Sequence, residues 1–184
     1  MKYYYPHAVT RPIRIAIAAL ALPVALWAAE PASLDPHLEP LRPWLGKTWK
    51  EQPKESMSPA KTDITRWERA LNGKAVRILH SIEGGAYGGE TIVMWDEKKQ
   101  AVVYHYFTTA GFTTTGTMKF EEGKLLTHEV VTGDAGGVDE VRGATSIGPD
   151  GTFRMTSEYL KGGKWQPARD ATYREDATAS VIFK

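Results

Sequence analysis

Three histidines are the most chemically versatile side chains in this sequence, and each lies in a segment typical of a β-strand. His80, His105 and His128 are surrounded by β-branched and aromatic residues. Neutral imidazoles that converge in a cavity can bind zinc, and a single one can ligate a haem iron. The sequence has no close His-x-His spacing, which favours isolated histidines with their own hydrogen-bond partners. We therefore predict no cofactor, with haem or zinc as a minor alternative.

Aromatic and long apolar side chains in the same segments could line a pocket for a flat or aliphatic ligand, with hydroxyl groups to orient it. They could equally form an ordinary core. Tyr104 and Tyr106 alternate with His105 and Phe107, so only one of these pairs can face the interior. The candidate ligand-binding residues are Trp67, Ile78, His80, Tyr104, Tyr106, Phe112, Met118, His128 and Tyr159.

Carboxylates in the middle of strands offer acid–base chemistry if they face inward. An enzyme of small-molecule chemistry that uses His80, Glu129 or Glu158 is therefore an alternative to a binding protein. If the turn at Gly162-Gly163 is tight, Glu158 and Arg169 share one face of a hairpin. Outside a barrel such a pair is solvated and contributes about 0–1 kcal/mol. The usual exposure of charged residues favours the outside.

Hairpins must position these residues, and the first is marked by Asn72-Gly73, the strongest short hairpin signal. A two-residue type I′ turn at this point predicts that Trp67 faces Ile78 and that Thr65 faces His80. Trp67, Ile78 and His80 then share the more apolar face of the hairpin. We expect His80 to point inward for this reason.

A later hairpin turns at Glu121-Glu122-Gly123. If this is a three-residue loop with Gly123 in the left-handed conformation, Gly116 faces His128. This register brings Phe112, Met118 and His128 onto one face. It therefore predicts that His128 also points inward.

About ten strands follow one another through short links, with no helix long enough for a parallel crossover. A twisted sheet of this size tends to close, because closure removes its exposed edges. We predict an all-β fold, an up-and-down antiparallel β-barrel of about ten strands whose interior can hold a small ligand. A two-sheet sandwich is the second option.

The pattern of the N-terminal segment predicts an export signal. Lys2, Arg11 and Arg14 precede an uncharged, largely apolar run from Ile15 to Ala28. The run is shorter than the roughly 20 residues that a membrane-spanning helix needs. We predict a cleaved signal peptide over 1–29, a periplasmic or secreted protein, and no membrane span after cleavage, with an uncleaved signal anchor as the alternative.

The mature chain is expected to be a single domain, 30–184. Its first part, 30–61, would contain a plug, the first strand and a loop, and 62–184 would form the rest of the barrel. Asp35-Pro36 predicts a helix start, and Pro40 should end the helix after one turn. The side chains expected to face inward from this plug are Leu38, Leu41, Trp44 and Leu45.

Composition excludes several classes of function. The net charge is +1 and there is no basic cluster with interleaved aromatic residues, so we predict no nucleic-acid partner. There are no cysteines, which excludes disulfides, thiol nucleophiles and thiolate metal sites. No Gly-x-Ser-x-Gly elbow is present, and the glycine-rich segment Gly84-Gly85…Gly88-Gly89 is not a phosphate loop, since no Gly-Lys-Ser/Thr follows it.

The chain resembles the DUF1579-type, lipocalin-like proteins of bacteria over about 38–174. The landmarks are Leu45-Gly46…Trp49, Arg66-Trp67-Glu68, Trp95-Asp96 and the closing Gly163-Lys164-Trp165-x-Pro167…Tyr173-Arg174. The resemblance implies a calycin-like barrel with an interior pocket, and no agreed activity. We expect an exported barrel that binds a small, largely apolar ligand without catalysis. A structural barrel filled by its own side chains is a further alternative.

Overall fold

The computed structural model describes residues 33–53, 62–82 and 84–184. The predicted signal peptide, 1–29, lies outside the described residues, as do 54–61. The described chain forms a 3-10 helix, Pro36–Trp44, here called the plug helix, a short 3-10 element, Leu71–Gly73, between the second and third strands, and ten strands. The strands are β1 Lys47–Glu51, β2 Asp63–Ala70, β3 Ala75–Ile82, β4 Gly88–Asp96, β5 Ala101–Thr108, β6 Thr113–Glu121, β7 Lys124–Thr132, β8 Val138–Ile147, β9 Phe153–Lys161 and β10 Lys164–Glu175.

All ten strands of the described chain join one closed antiparallel sheet in the order β1-β10-β9-β8-β7-β6-β5-β4-β3-β2. Each strand pairs with its neighbours in sequence, and β1 also pairs with β10. The predicted up-and-down barrel is therefore confirmed, and the sandwich is wrong. No helix in the described part of the chain is both long and apolar enough to cross a membrane.

The plug helix is longer than predicted. The side chain of Asp35 accepts a hydrogen bond from the backbone N–H of His37, as expected of an N-cap. The helix then continues through Pro40 to Trp44 as a 3-10 helix. Three residues per turn place every third side chain on one face. This explains why the buried residues are Leu38, Leu41 and Trp44.

The core lies between the plug helix and the adjoining end of the barrel. The ring of Phe153 meets Trp44, Trp49 and Trp67 edge-on, at centroid distances of 6.4, 5.7 and 6.2 Å. It also stacks on Tyr173 at 4.6 Å. These rings fill one end of the barrel and leave the rest of its interior free to form a site.

The β2–β3 hairpin has the predicted register and a longer turn. Trp67 pairs with Ile78 and Thr65 with His80, as expected. The strands end at Ala70 and Ala75, so Leu71 is part of the turn and does not pair with Lys74. Because each strand gives one residue to the turn, the register of the remaining pairs is unchanged.

The turn of the β6–β7 hairpin is one residue shorter than predicted. Glu121 pairs with Lys124, and the two-residue turn Glu122-Gly123 has positive φ values of 49° and 74° at its two positions, as a type I′ turn requires. Gly116 therefore faces Glu129. A slip of one residue moves every side chain of a strand to the other face. The prediction that His128 points inward is wrong for this reason.

The β9–β10 hairpin begins with the predicted pairs, including Glu158 with Pro167. The register then shifts, so that Ser157 pairs with Arg169. Proline has no N–H to donate to the ladder, which makes this position suitable for a bulge. The shift turns Arg169 into the barrel and leaves Glu158 outside, where it bonds to Arg142. The predicted shared face of Glu158 and Arg169 is therefore wrong.

Candidate ligand-binding cavity

The barrel interior contains a cavity of about 590 Å³. This volume lies in the range of about 300–1,000 Å³ that is usual for small-molecule sites. The side chains of the barrel therefore leave room for a ligand. Most of the exposed lining surface is apolar or aromatic, and most of the polar groups on it are hydroxyls of serine, threonine and tyrosine.

Eight of the nine predicted site residues line this cavity. His128 does not: its Nε2 atom lies 2.6 Å from Glu140 Oε2 on the outer surface, and its ring lies beside Trp165. The ambiguity in β5 is resolved, because His105 and Phe107 are exposed while the tyrosines face inward. The lining residues that were predicted are Trp67, Ile78, His80, Tyr104, Tyr106, Phe112, Met118 and Tyr159.

Two glycines explain how the tyrosine rings of β5 fit inside. A Cβ atom at Gly89 would overlap the ring of Tyr106, and one at Gly116 would lie 2.7 Å from the ring of Tyr104. Each glycine lies on a strand next to β5, in β4 and β6 respectively. The bare backbone at these positions lets the rings lie flat against the barrel wall. The tyrosine hydroxyls can then reach the polar groups of the cavity.

His80 is the centre of a hydrogen-bonded chain. Its Nδ1 atom lies 3.1 Å from Asp63 Oδ1, and its Nε2 atom lies 2.6 Å from the Tyr106 hydroxyl. The Tyr106 hydroxyl is in turn 2.9 Å from the hydroxyl of Tyr87. An ionised Asp63 only accepts, so His80 donates through Nδ1 and a neutral ring accepts from Tyr106 through Nε2. The chain then runs from Tyr87 through Tyr106 and His80 to Asp63.

Burial controls the protonation of these tyrosines. The pKa of Tyr106 is raised far above its usual range, chiefly by loss of solvent and further by its hydrogen bond with Tyr87. Loss of solvent also raises the pKa of Tyr104 and of Tyr87. All three hydroxyls therefore stay protonated at neutral pH and act as donors, Tyr87 and Tyr106 within the hydrogen-bonded chain and Tyr104 to Glu129.

A second group of polar side chains links the first strands of the barrel to the last one. Arg169 Nη2 of β10 donates to Glu51 Oε2 of β1 at 2.7 Å and to Asp63 Oδ2 of β2 at 3.3 Å. The hydroxyl of Tyr173 donates to Asp63 Oδ2 at 2.9 Å. These contacts tie together the three strands that meet where the barrel closes. We call Glu51, Asp63, Arg169 and Tyr173 the closure network.

The sequence interpretation missed the closure network. Asp63 has the same parity in β2 as Thr65 and Trp67, so strand alternation could have placed it inside. Arg169 could not be placed, because the bulge after Pro167 reverses its direction. No feature of the sequence around Glu51 predicted that its side chain lies inside the barrel.

Glu129 of β7 is a second acidic side chain that a strand directs into the cavity. Thr114 Oγ1 donates to its Oε2 atom. Burial raises the pKa of Glu129, while hydrogen bonds from Thr114 and Tyr104 act in the opposite direction. The predicted alternative site residue Glu158 lies on the outer surface, but Glu129 faces the cavity.

A metal site needs several ligand side chains close together. Among residues 33–53, 62–82 and 84–184, no three His, Cys, Asp or Glu side chains are grouped so that they could hold a metal ion. The absence of haem or zinc stays a prediction, since this geometry concerns the described residues alone.

The fold and the cavity define a class, a closed ten-stranded antiparallel barrel with a largely apolar interior cavity and a few buried polar groups. No family model matches the chain, and no curated protein matches it. The resemblance to DUF1579-type proteins therefore stays a prediction.

Replacing Arg169 by Met should destabilise the barrel, because Glu51 and Asp63 would lose the cation that they share. Removing one partner of a fully buried ion pair costs about 3–5 kcal/mol. The Arg169 side chain is 33% exposed, so we expect about 2–4 kcal/mol in the free energy of unfolding, measured with urea.

The matched control is Arg142→Met. Arg142 pairs with Glu158 on the outside, where both side chains are about half exposed, and its loss should cost about 1 kcal/mol or less. Equal destabilisation by the two substitutions would contradict a structural role for the closure network.

Proposed function

We propose that this protein is a barrel that binds one small, largely apolar ligand in its interior without catalysing a reaction. The observation that carries the proposal is the cavity of about 590 Å³. A barrel that served only as a scaffold would gain stability by filling this volume, since unfilled apolar cavities are costly. The retained space supports binding as the role of the interior.

The chemistry of the wall supports an apolar ligand. Trp67, Ile78, Phe112, Met118 and Val141 supply aromatic and aliphatic surface to the cavity. Burial of such surface contributes about 25 cal/mol per Å² removed from water. The hydroxyl, imidazole and carboxyl groups of the lining can then fix the orientation of the ligand.

Export is part of the proposal. The predicted signal peptide would place the barrel in the periplasm or outside the cell. The predicted resemblance to lipocalin-like exported proteins would agree with this location. A barrel in that compartment would hold an apolar compound away from water. We predict no nucleic-acid partner.

Filling the cavity should weaken ligand binding. We expect Val141→Trp, which adds an indole to the cavity wall, to weaken binding of the uncharged fluorescent probe N-phenyl-1-naphthylamine by at least about tenfold, because the probe and the indole would compete for the same volume. Fluorescence titration measures the affinity, and native mass spectrometry of protein from its own host detects any natural ligand.

The matched control is Val130→Trp, the same substitution at an outward position of β7 that is 50% exposed. Its affinity should equal that of the unchanged protein. If the unchanged protein binds neither the probe nor any co-purifying compound, the proposed function is wrong.

Acid–base catalysis is a second candidate, favoured by the chain from Asp63 through His80 and Tyr106 to Tyr87. A carboxylate that orients an imidazole, which in turn contacts a hydroxyl, is a common arrangement for moving a proton. Glu129 faces the same cavity and is made more basic by burial. A carbonyl compound could have its oxygen held by a tyrosine hydroxyl while Glu129 takes a proton from the adjacent carbon.

Deuterium uptake tests the second candidate. The unchanged protein should accelerate exchange of the protons next to the carbonyl of 2-decanone in D₂O, measured by mass spectrometry. Tyr106→Phe and His80→Asn should each slow this exchange by about 100-fold or more, the usual contribution of a positioned proton donor or acceptor. Ligand binding without any acceleration would leave the barrel as a binding protein.

A further inference from the structure

Acidic side chains outnumber basic ones on the cavity wall. Asp63, Glu129 and Asp134 bring three carboxyl groups to the lining, whereas Arg169 brings the one guanidinium group, and no lysine of the described chain is among the lining residues. His80 is the remaining basic side chain in the lining. An interior with an excess of carboxylates attracts a cation and repels an anion.

Arg169 does not balance this excess. Its Nη2 atom is engaged by Glu51 and Asp63, which together already carry more charge than one guanidinium group. Its Nε atom is buried and has no hydrogen-bond partner in the described structure. This Nε atom is thus covered by the protein and is not presented to a ligand.

Glu129 differs from Asp63 in its partners. Asp63 has contacts with Arg169, His80 and Tyr173. The described structure pairs Glu129 with hydroxyl groups, and no ion pair of Glu129 is found among the described residues. His128 also acts electrostatically on Glu129, but its side chain lies on the outer face of the same strand. A buried carboxylate whose hydrogen bonds come from hydroxyl groups gains strongly from a cationic partner, since burial has removed its solvation.

Aromatic rings surround the same space. Tyr87, Tyr104, Tyr106, Phe112 and Tyr159 all line the cavity. The face of an aromatic ring attracts a cation, and the attraction grows when water is excluded. The rings and the carboxyl group therefore favour the same kind of ligand, an ammonium group on an apolar body.

We propose that the natural ligand is an apolar amine whose protonated nitrogen pairs with Glu129, while its hydrocarbon part lies along the apolar wall. This inference rests on the proposed function, because it names the chemical class of the compound that the cavity binds. It assigns Glu129 as the specificity-determining residue and Tyr104 and Thr114 as the residues that position its carboxyl group.

The test compares three ligands with the same ten-carbon chain, decylamine, decanol and decanoate, by titration calorimetry at neutral pH. The unchanged protein should bind decylamine at least about tenfold more tightly than decanol, and decanoate most weakly. Glu129→Gln keeps the shape of the side chain and removes its charge. It should weaken decylamine binding by about tenfold or more and leave decanol binding unchanged.

Glu158→Gln is the matched control, because Glu158 lies on the outer surface and pairs with Arg142. It should preserve the affinity for all three ligands. If Glu129→Gln binds decanol, this variant is folded. If it fails to fold, the comparison of the three ligands in the unchanged protein still tests the amine specificity.

Three results would contradict the inference, and they have different consequences. If the unchanged protein binds decanol or decanoate at least as tightly as decylamine, the amine specificity is wrong while the proposed binding function stands. If it binds none of the three ligands, the specificity and the binding function both fail. Loss of amine preference in Glu158→Gln as large as in Glu129→Gln would also contradict the role of Glu129.

Discussion

The pairing of β1 with β10 is the constraint on which the cavity depends. β1 has five residues, and it bonds to β2 on one side and to β10 on the other. Without this pairing the sheet would have two free edges and no enclosed interior. The closure network lies inside the same junction, so the ion pairs of Arg169 with Glu51 and Asp63 join strands that are more than 100 residues apart in sequence.

The site is built from exceptions to regular strand structure. Gly89 and Gly116 remove side chains so that Tyr106 and Tyr104 can lie against the wall. The bulge after Pro167 turns Arg169 inward, where it neutralises part of the acidic interior. These features weaken local β-structure, since glycine and proline are poor strand residues. Their concentration around the polar groups agrees with a functional interior, because a barrel built for stability alone has no need of them.

Strand alternation was sufficient to predict the barrel and much of its lining. Trp67, Ile78 and His80 were placed correctly because the β2–β3 register survives a change in turn length. His128 was placed wrongly because the choice between a two-residue and a three-residue turn at Gly123 reverses the whole of β7. Such a choice depends on tertiary packing, which local sequence does not encode. The closure network was unpredictable for another reason: its partners meet only when the first and last strands come together.

Hydrogen exchange at the closure of the barrel tests the account most directly. The amide of Gln52 donates to the carbonyl of Thr172 at 2.7 Å, and the amide of Asp176 donates to the carbonyl of Thr48 at 2.9 Å. Both bonds exist only if β1 and β10 are joined. Measured by NMR, these two amides should exchange as slowly as those of the central ladders, through global unfolding. If both exchange at the rate of an unstructured peptide while β4 to β7 stay protected, the sheet is open and it encloses no cavity.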